Sequence, residues 1–383
     1  MAAPAVLGLL LLTLTSAVGY KTYNVLDFKA VGDGQADDTN AFVQAWAAAC
    51  ADTIRPVLLV PPGKTFLIGE TQLSGPCNSS VDFQLQGNVV APNWQWTKKD
   101  KTNLLTFTNV NRLTLHGSGE IDGRGQLWWD LFKNKTLAFA HCNDLYVKGI
   151  TIKNSADKHM TFFACVGVNI NWIKITAPGD SPNTDGMYFS SCQNVTVSGS
   201  RIGTGDDCIA IGPGCSNINI SSVQCGPGHG FSIGSLGKDG ATQTVENISV
   251  SDSSVTDGLT GARIKTWQGG SGYVRGVVFE GMRVRSVQTP IMIDQFYCTS
   301  NNCQNHTTAV AISDVHYANI YGTATDVNPI KILCSESVPC QGIHLEKVKL
   351  SMAEGTTPLT SVCINVKDGQ VNQVDPDVQC VAG

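Results

Sequence analysis

Gln193-Asn194-Val195-Thr196-Val197, Ser216-Asn217-Ile218-Asn219-Ile220 and Glu246-Asn247-Ile248-Ser249-Val250 are three copies of one five-residue unit, apolar at its third and fifth positions. Working outward, the same unit begins at 111 (Asn-Arg-Leu-Thr-Leu), 143 (Asn-Asp-Leu-Tyr-Val), 166 (Val-Gly-Val-Asn-Ile) and, more loosely, 275 (Arg-Gly-Val-Val-Phe). Successive copies start 32, 23, 27, 23, 30 and 29 residues apart. Alternation with period two makes each copy a short strand. Gly, Asn and Ser punctuate the gaps, and none holds a helix-length amphipathic pattern. Strands that return at this interval without crossover helices fit an all-β parallel solenoid, each coil stacked on the last. A sandwich would instead turn every ~8–12 residues, with no likeness between copies.

One helix is predicted upstream. Asp38 or Thr39 is its N-cap, and Ala41, Phe42, Ala45, Trp46 and Ala49 share one face. Its place is over the open N-terminal end of the solenoid, whose strand edges would otherwise be unpaired. No linker interrupts the chain, so residues 20–383 read as one domain.

Composition narrows the function. Of 383 residues, 15% are charged, with 26 Lys+Arg against 31 Asp+Glu and a net charge of −5. Soluble chains usually carry about 25% charged residues. This balance, with 39 Gly, excludes coiled coil and charge-rich disorder, and it opposes a nucleic-acid partner. The apolar run Val6–Leu14 followed by Ala17-Val18-Gly19 reads as a secretory signal peptide over residues 1–19, cleaved near Gly19. At ~10 residues its core is too short to span a bilayer, and no second run of membrane length follows. The expectation is a secreted protein of the extracellular space or cell wall, with no membrane partner. Fourteen cysteines agree, an even count behind a signal peptide reading as disulfides. Cys298–Cys303 and Cys334–Cys340 are the closest candidate pairs. No cysteine or histidine cluster has zinc spacing, so no metal is expected. Asn-x-Ser/Thr triplets at Asn78, Asn134, Asn194, Asn219, Asn247 and Asn305 are candidate glycan sites, of which some are expected to be used.

The chemistry lies between 183 and 265. Asp185-Gly-Met-Tyr-Phe, Asp207-Cys-Ile-Ala-Ile and His229-Gly-Phe-Ser-Ile align with offsets of 22 and 22. Met187, Ile209 and Phe231 then form one core column, and Phe189, Ile211 and Ile233 another. Asp185, Asp207 and His229 form a third, at the strand starts. Asp206 joins their cleft if the chain bends at Gly205. Carboxylates so crowded repel, so one holds a proton while others are ionised, as acid/base cleavage of a glycosidic bond requires. Two plainer readings compete: turn-forming Asp-Gly residues, and a calcium site of Asp185, Asp206 and Asp207. In Arg263-Ile264-Lys265, period two puts both cations on one face, suited to a carboxylated ligand. Arg283-Val284-Arg285 repeats the pattern and reads as solvated, as does Lys98-Lys99-Asp100-Lys101.

Asn183-Thr184-Asp185, Gly205-Asp206-Asp207, Gly228-His229-Gly230 and Arg263-Ile264-Lys265 together resemble, in order and spacing, the four signature motifs of the polygalacturonases. The stretch Phe28–Gly34 followed by Asp37-Asp38-Thr39 resembles the N-terminal motif of their plant members, and Tyr297 matches a cleft tyrosine. The resemblance implies a right-handed parallel β-helix that hydrolyses α-1,4 bonds of polygalacturonate with inversion and without cofactor. The expected partner is pectic polysaccharide, and a monomer is expected, though sequence leaves oligomeric state open. Carried over by residue, Asp207 would be the general acid, and Asp185 and Asp206 would hold and activate water. His229 would tune the acid; Arg263, Lys265 and Tyr297 would bind the sugar carboxylate and ring; Asn183 would orient the site. A local family disulfide would join Cys208 and Cys225. The rivals are a pectate-lyase-like enzyme or a hydrolase of modified pectin on the same fold, and a catalytically silent pectin-binding wall protein.

Overall fold

The computed structural model describes residues 20–94, 103–129, 135–299 and 303–380. The signal segment 1–19, the triplet at Asn134 and the Lys98–Lys101 loop lie outside or across the bounds of these residues.

The chain winds into a parallel β-helix. Its strands form one 24-stranded and one 11-stranded sheet, with parallel pairing between successive coils. The repeat units stack in the expected register: Val168 opposes Val195, Val195 opposes Ile218, and Ile218 opposes Ile248. In the 11-stranded sheet Met187 opposes Ile209 and Ile209 opposes Phe231, so the apolar columns inferred from 22-residue offsets are the core. Upstream, the column through Phe189 continues as stacked rings of Phe162, Phe139 and Phe107, with centroids 4.7, 5.1 and 5.4 Å apart.

The second position of every repeat unit explains the repeat's composition. Arg112, Asp144, Gly167, Asn194, Asn217, Asn247 and Gly276 all take positive φ, between 54° and 72°. Asn, Asp and Gly tolerate that left-handed conformation best. Asn247 donates to Asn217 (3.1 Å), and Asn217 donates to Asn194 (3.2 Å), a ladder along the solenoid.

The helix spans Thr39–Cys50 and buries Ala41, Phe42, Ala45, Trp46 and Ala49, the face expected. Phe42 meets Phe66 edge-on at 5.7 Å, and Trp46 meets Phe107 at 5.5 Å, closing the N-terminal end. Asp38 precedes the helix but makes no side-chain cap; its carboxylate accepts from the N–H groups of Val31 (2.6 Å) and Gly32 (3.1 Å). Arg283 and Arg285 are exposed while Val284 is buried, as read.

Disulfides join Cys50–Cys77, Cys208–Cys225, Cys298–Cys303, Cys334–Cys340 and Cys363–Cys380. The expectation that all fourteen cysteines pair is corrected. Cys142, Cys165, Cys192 and Cys215 are buried free thiols. Their spacings of 23, 27 and 23 are the coil intervals themselves, so they occupy one inward column, where a thiol serves as a small apolar side chain. Cys142 and Cys165 each donate to the carbonyl two residues earlier, at 3.4 Å.

Candidate active site

Four consecutive strands of the 11-stranded sheet build the site: Met187–Ser190, Ile209–Ile211, Phe231–Leu236 and Thr260–Thr266. The turns entering the first three carry Asn183–Asp185, Asp206–Asp207 and His229. The fourth carries Arg263 and Lys265 beside Ser232 and Gly234. Ile264 points into the core between them, as period two requires. The chain bends at Gly205, where a Cβ would come within 2.0 Å of the Ser181 carbonyl oxygen. Only glycine allows that approach, and the bend turns Asp206 and Asp207 into one cleft.

The cleft, about 440 Å³, is lined by all eight residues expected from sequence: Asn183, Asp185, Asp206, Asp207, His229, Arg263, Lys265 and Tyr297. Asn183 sits exposed at the rim with φ 55°. Tyr297 forms part of the wall, with the Lys265 ammonium 5.5 Å from its ring centre. Lys158, Tyr188, Ala210, Gly234, Ser235 and Leu259 complete the lining. Lys158 was missed because only 22-residue offsets were aligned. Met160 opposes Met187 in the sheet, so aligning Lys158-His159-Met160 with Asp185-Gly186-Met187 would have found it.

The three carboxylates occupy different environments. Asp207 is buried, with a side chain 2% exposed. Its Oδ1 accepts from Arg263 (2.6 Å) and Ser232 (2.7 Å), and its Oδ2 from Lys265 (2.8 Å). Burial alone would raise its pKa, but Lys265 and Arg263 outweigh burial and hold the carboxyl far below the usual aspartate range. Asp207 therefore departs from the expected proton-holding acid: each of its oxygens is already bonded to a cation, which favours the ionised form. The two cations line the cleft and are already bonded to Asp207.

Asp206 is the most exposed of the three, at 22% of its side chain. Its Oδ1 lies 3.0 Å from His229 Nδ1 and accepts from the Asp207 N–H at 2.7 Å. Against burial, the His229 hydrogen bond lowers its pKa. Asp185, 8% exposed, shows the opposite trend. Burial, then the charges of Asp206 and Asp207, push it up to about 7 against the pull of Lys158. Asp206, Asp207 and His229 offer donor atoms within 4.8 Å of one another, a spacing a metal ion would accept. A divalent cation there would stand against Arg263 and Lys265, so the charge pattern suits an anion.

The family profile described as glycosyl hydrolases family 28 matches residues 50–374. The chain belongs to this family. The family 28 chain is 40% identical over 376 residues to a polygalacturonase of Malus domestica, covering 94% of this chain and 80% of that one. Among solved structures, an exopolygalacturonase of Thermotoga maritima superposes with a TM-score of 0.76 at 19% identity, covering 92% of both chains. An endo-xylogalacturonan hydrolase of Aspergillus tubingensis gives 0.70 at 23%, covering 94% and 97%. These two are similar in fold. The chain is a polygalacturonase-like glycoside hydrolase.

Proposed function

We propose that the protein is a secreted polygalacturonase, with residues 20–383 as its catalytic unit, that hydrolyses α-1,4-galacturonosyl bonds of polygalacturonate in the cell wall with inversion. The observation that carries this reading is the pair of buried cations, Arg263 and Lys265, on the floor of a cleft that also holds three carboxylates. A polymer with a carboxylate on every sugar ring calls for the cations, and its glycosidic bond calls for the acids.

The roles follow from access and charge. A general acid needs an oxygen that reaches the leaving group. Asp207 has both oxygens tied to cations that favour its ionised form, so the acid role passes to Asp206, which faces the cleft beside His229. Asp185, poised near neutrality, is the base for the attacking water, and anionic Asp207 helps hold that water. His229 hydrogen-bonds Asp206 and tunes its proton. Arg263, Lys265 and Tyr297 take the sugar carboxylate and ring, and Asn183 orients the chain at the rim. When a sugar carboxylate draws on the two cations and covers the cleft, added negative charge and lost water both raise the proton affinity of Asp206.

The test is digestion of polygalacturonate with product analysis. New reducing ends without ultraviolet-absorbing unsaturated sugars, insensitive to chelator, support hydrolysis. Unsaturated products lost in chelator would mean a lyase, and binding without cleavage would mean a silent wall-binding protein. A rapid fall in viscosity marks internal attack; release of monomer marks attack from chain ends.

A further inference from the structure

Lys158 stands two residues before Met160, as Asp185 stands before Met187 and Asp207 before Ile209. These strand residues oppose one another across successive coils. Lys158, Asp185 and Asp207 thus follow one another at the strand starts, with the ammonium on the upstream side of the carboxylates. Arg263 and Lys265 hold the downstream side. The roles proposed above use both of those cations and leave Lys158 without one.

The Lys158 ammonium lies 3.0 Å from Asp157 Oδ1 and 3.4 Å from Asp185 Oδ1, and 5.6 Å from the centre of the Tyr188 ring. Its side chain is only 20% exposed. Burial opposes its charge, but Asp185 and then Asp157 outweigh burial and keep it a cation. An ammonium already shared by two carboxylates has little left for a sugar. What it does have is the closest positive charge to Asp185. The other groups facing Asp185 are Tyr188 on the strand it leads into, Asp206 and Asp207 from the next coil and Lys265 from two coils further on, while His159 reaches only its backbone carbonyl, at 3.1 Å.

We propose that Lys158 is a positioning residue of the hydrolytic site, whose ammonium drives the proton shared by the carboxylates away from Asp185 and towards Asp206. The inference rests on the reading of Asp185 as base and Asp206 as acid. A proton left on Asp185 disables the base and leaves the acid empty, so the productive arrangement has it on Asp206. Burial and two like charges favour Asp185; Lys158 is the nearest charge that opposes them. Asp157 holds the ammonium from its other side and weakens its hold on Asp185.

The experiment compares Lys158→Met, Lys158→Arg and wild type on polygalacturonate across pH, with ¹³C NMR titration of labelled aspartate carboxyls. Loss of one nearby charge is expected to raise the Asp185 titration by roughly one pH unit, equivalent to a tenfold change. In Lys158→Met, kcat/KM should fall about tenfold near pH 5 with KM little changed, and the deficit should vanish as pH rises past the Asp185 titration. Lys158→Arg should stay close to wild type. Equal loss at every pH, a raised KM with an unchanged profile, or an unmoved Asp185 titration would overturn the proposal. Should wild type fail to cleave polygalacturonate, the hydrolytic reading falls, and the NMR arm alone decides whether Lys158 governs Asp185. Should Lys158→Met not fold, Asp157→Asn tests the same coupling with the opposite sign. Its Asp185 titration should move down, and no movement would overturn the proposal.

Discussion

Asp207 shows where reading the residues in order runs short. Its position beside Asp185 and His229 was legible from two equal offsets. Its ionisation was not, because that is set by Arg263 and Lys265, 56 and 58 residues away in sequence. Which carboxylate those cations reach depends on side-chain direction across two coils, and a linear pattern carries no such information. With the acid moved to Asp206, Asp206→Asn is expected to lower kcat about 10²–10⁴-fold, the usual worth of a general acid. KM should change little because Arg263 and Lys265 keep their places. A near-normal kcat in folded Asp206→Asn returns the acid role to another carboxyl. Lys265→Ala removes one charge-assisted hydrogen bond, worth about 1.5–3 kcal/mol, and should lower kcat/KM roughly ten- to a hundredfold. Part of that loss should appear in kcat, since Lys265 also neutralises Asp207. Asp185 carries a stability consequence. An unfolded aspartate titrates near 3.9, whereas Asp185 in the fold is pushed up to about 7. The fold binds this proton more tightly, so its stabilising contribution is complete below about pH 3.9 and is lost as pH rises through about 7. Asp185→Asn cannot lose that proton. Its melting temperature relative to wild type should climb between about pH 4 and pH 8, and a constant gap would contradict the assignment.

At the scale of elements, the repeat unit was legible as a strand but not as the strand it is. Alternation located Val195 and Val197 in the core correctly. It passed over Asn194, whose left-handed φ of 57° recurs at the same position of each copy. The recurrence of Asn, Asp and Gly there was the available signal, hidden because those residues also mark ordinary turns. The thiol column was legible on the same terms, since the spacings of Cys142, Cys165, Cys192 and Cys215 match the coil intervals. Counting cysteines as an even set concealed it. A thiol reagent should therefore label no cysteine in the native protein and four after denaturation without reductant. Full resistance after denaturation would mean that these four are cross-linked. Gly205 links element to site: a methyl group there meets the Ser181 carbonyl. Gly205→Ala should destabilise by about 1–3 kcal/mol, the range for overpacking, and reduce kcat by misplacing Asp206 and Asp207. Unchanged stability and rate would show that the bend at this position is not required.

For the whole molecule, stacking does most of the work. A solenoid brings residues one coil apart to neighbouring strands, so three motifs separated by 22 residues become one wall of a cleft, and Arg263-Ile264-Lys265 on the following strand becomes its floor. That is why periodicity led to the stacked architecture and to Asp185, Asp207, His229, Arg263 and Lys265, while Asn183 and Tyr297 came from the family resemblance and the distribution of charge had to come from the folded geometry. The net charge of −5 opposes an anionic polymer, so the buried cation pair must supply the local attraction. The central claim is that water attacks from the face opposite Asp206, held by Asp185 and Asp207. Proton NMR of the first product formed from polygalacturonate, read before mutarotation, tests it most directly. The β-anomer of the new reducing end, inverted from the α-linkage, is the predicted result. The α-anomer appearing first would mean a covalent glycosyl-enzyme and would contradict the assignment of all three carboxylates.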